Sequence, residues 1–325
     1  MAMDIPPDFI LEARARAARG EQTRAAMQAG SEAAVAAMER GDEEASYAAM
    51  SGALRAASIA FLDWLAGQTP LDRRLHLLVW ILEAPTPDSA AAFVIEGGPE
   101  RAEAILAAMA EAGLAESAAR FEAIVAAARD FETTPDEGPE RDRLDDLSFA
   151  FDAPGAYRDD LRAALTKDRE MAARVAAMRA GLDEQDRLDI AAALVGEKVG
   201  ERDGVDALEG LDEGQRLVWL VLCFDHEVGD GGLSQFFAHE PGDCAPETAA
   251  ALRLIGCGEA ARVLLRAVVA FPAPYPRDAD ERFDRLEADD GRLGERIDAL
   301  TDEIDLDAIR PALIDRLKRL GALPR

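Results

Sequence analysis

Leu217-Val-Trp-Leu-Val-Leu-Cys-Phe224 runs directly into Asp225-His-Glu-Val-Gly-Asp-Gly-Gly-Leu-Ser-Gln-Phe-Phe237 and, after a polar interval, reaches Ala251-Leu-Arg-Leu-Ile-Gly256. The first eight residues are apolar throughout and read as a core helix. Gly229, Gly231 and Gly232 then take side chains away at a point where the chain is expected to reverse in a tight turn. Phe236 and Phe237 re-enter the core. Ala250, Leu254, Ala261, Leu264, Leu265, Val268 and Phe271 recur at helical spacing, with Gly256 where one helix stops and the next starts. Helix, glycine turn, helix and helical hairpin together predict an all-α fold.

The rest of the chain agrees with that class. Alanine is abundant, aromatic residues make up only 6%, and β-branched runs are few, so local propensity favours helix outside the Gly and Pro punctuation. A length of 325 residues suggests two domains. Sixty-four acidic against 36 basic residues give a net charge of −28, a field that opposes a nucleic-acid ligand and favours a basic partner. The first ten residues carry Asp4 and Asp8 and lack the basic start and apolar run of a secretory signal. The longest apolar run is far shorter than the roughly 20 residues that span a bilayer. Cys223, Cys244 and Cys257 form an odd set with no disulfide framework, so a cytoplasmic protein is expected.

The chain also repeats itself. Val35-Ala-Ala-Met38 followed by Gly41 recurs as Val175-Ala-Ala-Met178 followed by Gly181, and Leu71-Asp72 recurs as Leu211-Asp212. Leu78-Val-Trp-Ile-Leu82 matches Leu217-Val-Trp-Leu-Val221 one residue out of step. These signals predict two tandem, divergent copies of one helical domain, residues 31–168 and 171–320, behind an N-terminal helical arm of residues 1–30. The first copy lacks the glycine turn, and Pro85 and Pro87 are expected to stop its helix instead. Acidity is spread over both parts: residues 1–170 hold 32 acids and 17 bases, residues 171–325 hold 32 and 19, so neither part is merely an acidic tail.

Glu227-Val-Gly-Asp-Gly-Gly-Leu-Ser-Gln-Phe-Phe237, with Leu252-Arg-Leu-Ile-Gly256, Ala260-Ala261, Phe271 and Arg282, resembles the bacterial DNA-mimic protein domain of the neisserial DMP type. The likeness covers about the last 150 residues. Where the usual pattern has Asn before the glycine pair and Asn after the aromatic pair, this chain has Asp230 and His239. The resemblance implies an acidic, all-helical protein that occupies the DNA-binding face of a basic partner such as a transcription regulator. Gly231, Gly232, Ser234, Gln235, Phe236, Phe237 and Gly256 would be the structural core of the motif.

An acidic surface could perform that role. Residues 278–307 hold 13 acids and four bases. Within them Glu295, Asp298, Asp302 and Asp305 fall at helical spacing, which would set a carboxylate roughly every 5 Å along one helix face. Phosphates on one DNA strand advance about 3.4 Å per step, so such a row approximates their charge density. Asp284, Glu287 and Glu303 extend the candidate partner-binding set. The same row also fits a solvated face partly paired with arginine, and a scaffold module whose acidity serves solubility is the alternative function.

Other chemistries have weaker support. Cys223, His226, His239 and Cys244 have a superficial zinc-like spacing without a CxxC knuckle, the only sequence feature that favours a metal-dependent enzyme. The glycine turn is surrounded by Asp225, Glu227 and Asp230 rather than by the lysine or arginine of a phosphate cradle. No catalytic motif is found and no cofactor is expected. The expectation is therefore a non-enzymatic binding protein, a homodimer being compatible with the sequence.

Overall fold

A computed structural model of the chain describes residues 5–83, 90–129, 131, 138–152, 155–200, 202–288 and 291–324. The described residues contain helices and no strand. Pro85 and Pro87, expected to end the helix before them, lie outside the described residues. Two compact units form, one of Pro6–Gly181 and one made chiefly of Leu182–Arg325.

The first unit holds α1 (Pro7–Met38), α2 (Glu43–Ala66), α3 (Pro70–Trp80), α4 (Ala90–Gly97), α5 (Pro99–Glu111), α6 (Ala115–Ala128), α7 (Pro139–Asp152), α8 (Ala156–Lys167) and α9 (Arg169–Ala180). Pro at the first position of α1, α3 and α5 suits a site whose N–H has no helical partner. Thr69 caps α3 by accepting from the Asp72 N–H at 3.1 Å. α1 packs along α2 and also meets α3, α8 and α9. Its first turn is tied in by Asp8, fully buried, which accepts from Arg158 Nη1 and Arg162 Nε, each at 2.8 Å. From Pro7 onward the predicted arm is thus the first helix of this unit's core, because Phe9, Ile10 and Leu11 are buried with it.

The second unit holds α10 (Glu184–Val199), α11 (Glu213–Ala238), α12 (Ala245–Ile255), α13 (Gly258–Ala270), α14 (Ala279–Glu287), α15 (Arg292–Asp298) and α16 (Ile309–Leu320). α11 is its axis and contacts α10, α12, α14, α15 and α16. A capping box starts it: Asp212 Oδ1 accepts from the Gln215 N–H at 3.0 Å and Gln215 Oε1 accepts from the Asp212 N–H at 3.1 Å. Leu217, Val218, Val221, Phe224 and Val228 then bury one face at the helical period. Phe224, Phe236, Phe237, Phe271 and Tyr275 form a continuous aromatic chain with neighbouring ring centroids 5.0 to 5.6 Å apart.

One detail agrees with the sequence reading and two differ. As expected, Gly231 and Gly232 form a turn between two helical stretches: the chain bends there sharply enough to bring the Phe236 ring to 5.3 Å from that of Phe224 and Gln235 onto Glu227. On α12 the buried residues are Ala245, Thr248, Ala249, Ala251, Leu252 and Ile255, leaving Ala250 and Leu254 exposed, because the helix is turned by about one residue from the expected face. The repeat placed its boundary at 168–171, whereas the units divide at Gly181 and α9 packs with α1 and α8. The repeated tetrapeptides also sit in unlike surroundings, Val35 being 56% exposed and Val175 2%.

Candidate partner-binding surface

The kink in α11 organises the acidic region beside it. Gly232 has φ 80 and ψ −174, a conformation open to glycine alone, and a Cβ there would stand 2.9 Å from Asp298 Oδ1. The break strips the short segment 233–238 of the preceding turn that would accept its first N–H groups. Two residues from the far end of the sequence replace that turn. Thr301 Oγ1 accepts from the Leu233 N–H at 3.0 Å. Asp298 accepts from the Ser234 N–H at 2.9 Å and from Ser234 Oγ at 2.8 Å. A carboxylate at this point also meets the positive end of the segment's dipole.

The segment's other end is held as firmly. Glu227, half-buried, accepts from Gln235 Nε2 at 3.0 Å and lies 2.8 Å from His239 Nδ1, bridging the two parts of α11. Arg282 is wholly buried; its Nε donates to the Phe237 carbonyl and its Nη2 to the His239 carbonyl, both at 2.7 Å. Nη2 also lies 2.6 Å from Asp243 Oδ1. Burial raises the Asp243 carboxyl above its usual range while Arg282 pulls against that shift. Gly242 permits the close approach, since a Cβ there would meet the Phe236 carbonyl oxygen at 2.6 Å. Ser234, Gln235, Phe236 and Phe237 are accordingly brought together with Gly231 and Gly232, while Gly256 caps α12 separately at φ 104.

The acidic row is arranged differently from the sequence expectation. α15 ends at Asp298, and Thr301–Glu303 and Leu306–Ala308 are short 3-10 turns, so Glu295, Asp298, Asp302 and Asp305 do not share one helix. Their i, i+3, i+7, i+10 spacing has that meaning only in an unbroken helix, and buried Ile297 and Ile304 pull the chain inward on either side of a bend. Asp284 and Glu287 lie on α14. All seven candidate carboxylates are exposed. Asp298 serves Ser234, and Glu303 is held by Arg266 through both its oxygens. Among the described residues, Asp284, Glu287, Glu295, Asp302 and Asp305 have no ion pair. Elsewhere on this unit acids are taken up: Arg310 binds Asp225 and Asp189, Arg316 binds Glu213, and Arg277 binds Glu247.

The zinc-like set is scattered. Cys223 and Cys244 line one cleft of about 260 Å³, where burial pushes each thiol up to about 12. His226 faces solvent beside Asp230, and His239 is engaged by Glu227. No group of three or more His, Cys, Asp or Glu side chains among the described residues is placed to hold a metal ion. Nor is any described helix long and apolar enough to cross a membrane.

Residues 209–320 match a family model described as DMP19-like protein. The match begins just before α11 and ends with α16, taking in the glycine kink, Arg282 and the acidic turns, and leaving α10 and the first unit outside it. No curated protein and no solved structure matches the chain. Residues 209–320 are therefore the part of the chain that is similar to the DMP19-like protein family.

Proposed function

We propose that the second unit binds a basic DNA-binding protein or regulator in the cytoplasm and competes with DNA for it. The observation that supports this most is the set Asp284, Glu287, Glu295, Asp302 and Asp305, exposed and without ion pairs among the described residues, in a stretch of 13 acids and four bases. Carboxylates left open in this way can accept the arginine and lysine contacts that a partner otherwise makes to phosphate. Their summed field speeds encounter and disfavours acidic competitors. The family match supports the same reading, and no residue is assigned a catalytic role in it.

The test is displacement of labelled duplex DNA from a basic regulator of the host. A variant with Asp284→Asn, Glu287→Gln, Glu295→Gln, Asp302→Asn and Asp305→Asn should keep its melting temperature within a few degrees and lose displacement at least about tenfold, a change of roughly 1.4 kcal/mol. Wild-type displacement should weaken as salt rises. If the neutralised variant displaces DNA as well as the wild type does, the acidity is a solubility device and the domain is an interaction module of another kind.

A further inference from the structure

The first unit, outside the family match, contains a cleft of about 280 Å³ between α2, α3 and α5. Leu62 and Leu65 of α2, Leu77 of α3 and Ala104, Ala107 and Ala108 of α5 make its apolar walls. The three alanines stand at i, i+3 and i+4 on one face of α5, and their methyl groups leave open the space that longer side chains would fill. The charged residues at this cleft are Arg73 and Arg74 against one acid, Glu111, a local excess of positive charge in a chain of net −28. Among the described residues neither arginine side chain has a hydrogen bond or an ion pair, and Asp72, the acid beside them in sequence, is taken by Arg174 at 2.6 Å.

Both guanidinium groups can still receive an acceptor. Arg73 is exposed and Arg74 half-buried, and of the Arg74 nitrogens only Nε is closed off from solvent. We propose that this cleft binds a medium-chain alkyl carboxylate, its chain against the leucine and alanine walls and its head on Arg73 and Arg74. A guanidinium fork takes a carboxylate through two parallel hydrogen bonds, and walls made of leucine and alanine side chains match a hydrocarbon better than a sugar or a nucleoside. The volume lies just under the roughly 300 Å³ at which pockets for drug-sized ligands begin, which limits the guest to a single chain of modest length.

Octanoate is the probe. Calorimetry on the full-length protein should show saturable binding at one site, and octanoate should raise the melting temperature. Octanol, which lacks the charge, and acetate, which lacks the chain, should bind at least about tenfold more weakly; hexanoate should also lose on the order of tenfold, since each buried methylene changes affinity roughly fourfold. Ala107→Phe, at an exposed helix position, should keep the unliganded melting temperature within a few degrees and abolish octanoate binding by filling the cleft. Arg73→Met with Arg74→Met should weaken octanoate at least about tenfold and leave octanol unchanged. Should that pair fail to fold, Arg73→Met alone, at an exposed position, carries the test with a loss of at least about threefold. The proposal is overturned by a folded wild type without saturable octanoate binding, by octanol or acetate matching octanoate, or by octanoate binding undiminished in Ala107→Phe or in the arginine variants.

Discussion

Gly232 shows what one residue can decide in this molecule. Its conformation admits no side chain, and the space beside it is filled by the Asp298 carboxylate, so Gly232→Ala should destabilise the second unit by about 1 to 3 kcal/mol, read as a lowered denaturation midpoint followed by Trp219. His76 acts through protonation instead. It is buried with its ring edge-on to Phe61 and Trp64, and burial, then repulsion from Arg19, lowers it to about 4 from an ordinary 6.5. Between those values the unfolded chain takes up a proton that the folded unit refuses, so stability is lost as pH falls from 6.5 towards 4, by on the order of 3 kcal/mol. His76→Phe should flatten that part of the pH profile of the first unit, followed by Trp64 and Trp80 in a Trp219→Phe background; an unchanged slope would assign it to other groups.

At the level of elements, α11 and the place of its glycine break were legible, and the groups that close the break were not. The apolar run Leu217–Phe224 announces a core helix from sequence alone, while its start at Glu213, set by the Asp212 and Gln215 capping box, is a finding of the structure. What glycine does at 231 and 232 depends on Asp298 and Thr301, more than sixty residues away, and no local pattern encodes that meeting. For the same reason a regular acidic spacing suggested one helix where the chain forms α15 and two tight turns. Asp298 therefore belongs to architecture as well as to surface charge. Asp298→Ala should cost about 0.5 to 2 kcal/mol, the ordinary worth of a helix cap, and raise amide exchange first at 233–238. Exchange rising uniformly across the unit would contradict a local capping role. Thr301→Val should reproduce the effect in smaller measure, since it removes the acceptor of one N–H, whereas Asp298→Ala removes the acceptor of both the Ser234 N–H and the Ser234 hydroxyl.

Across the whole molecule, the all-α class followed directly from composition, whereas the division at Gly181 did not, because repeated tetrapeptides report ancestry or chance and contacts report packing. The charge is carried by both parts of the chain, so self-repulsion is general rather than confined to a tail. Raising sodium chloride from about 0.02 to 0.3 M shortens the Debye length to a few ångströms and should raise the midpoints of both units. A fall would mean that pairs such as Arg310 with Asp225 outweigh the net field. The cap on α11 adds a link between these scales. Thr301 and Asp298 work as a latch on a hydrophobic element while Glu295, Asp302 and Asp305 near them look outward at solvent. Whatever clasps the 295–305 strip also tightens that latch, so slowed deuterium uptake at 233–238 becomes an internal gauge of occupancy, even when the visitor's footprint stops short of the glycines.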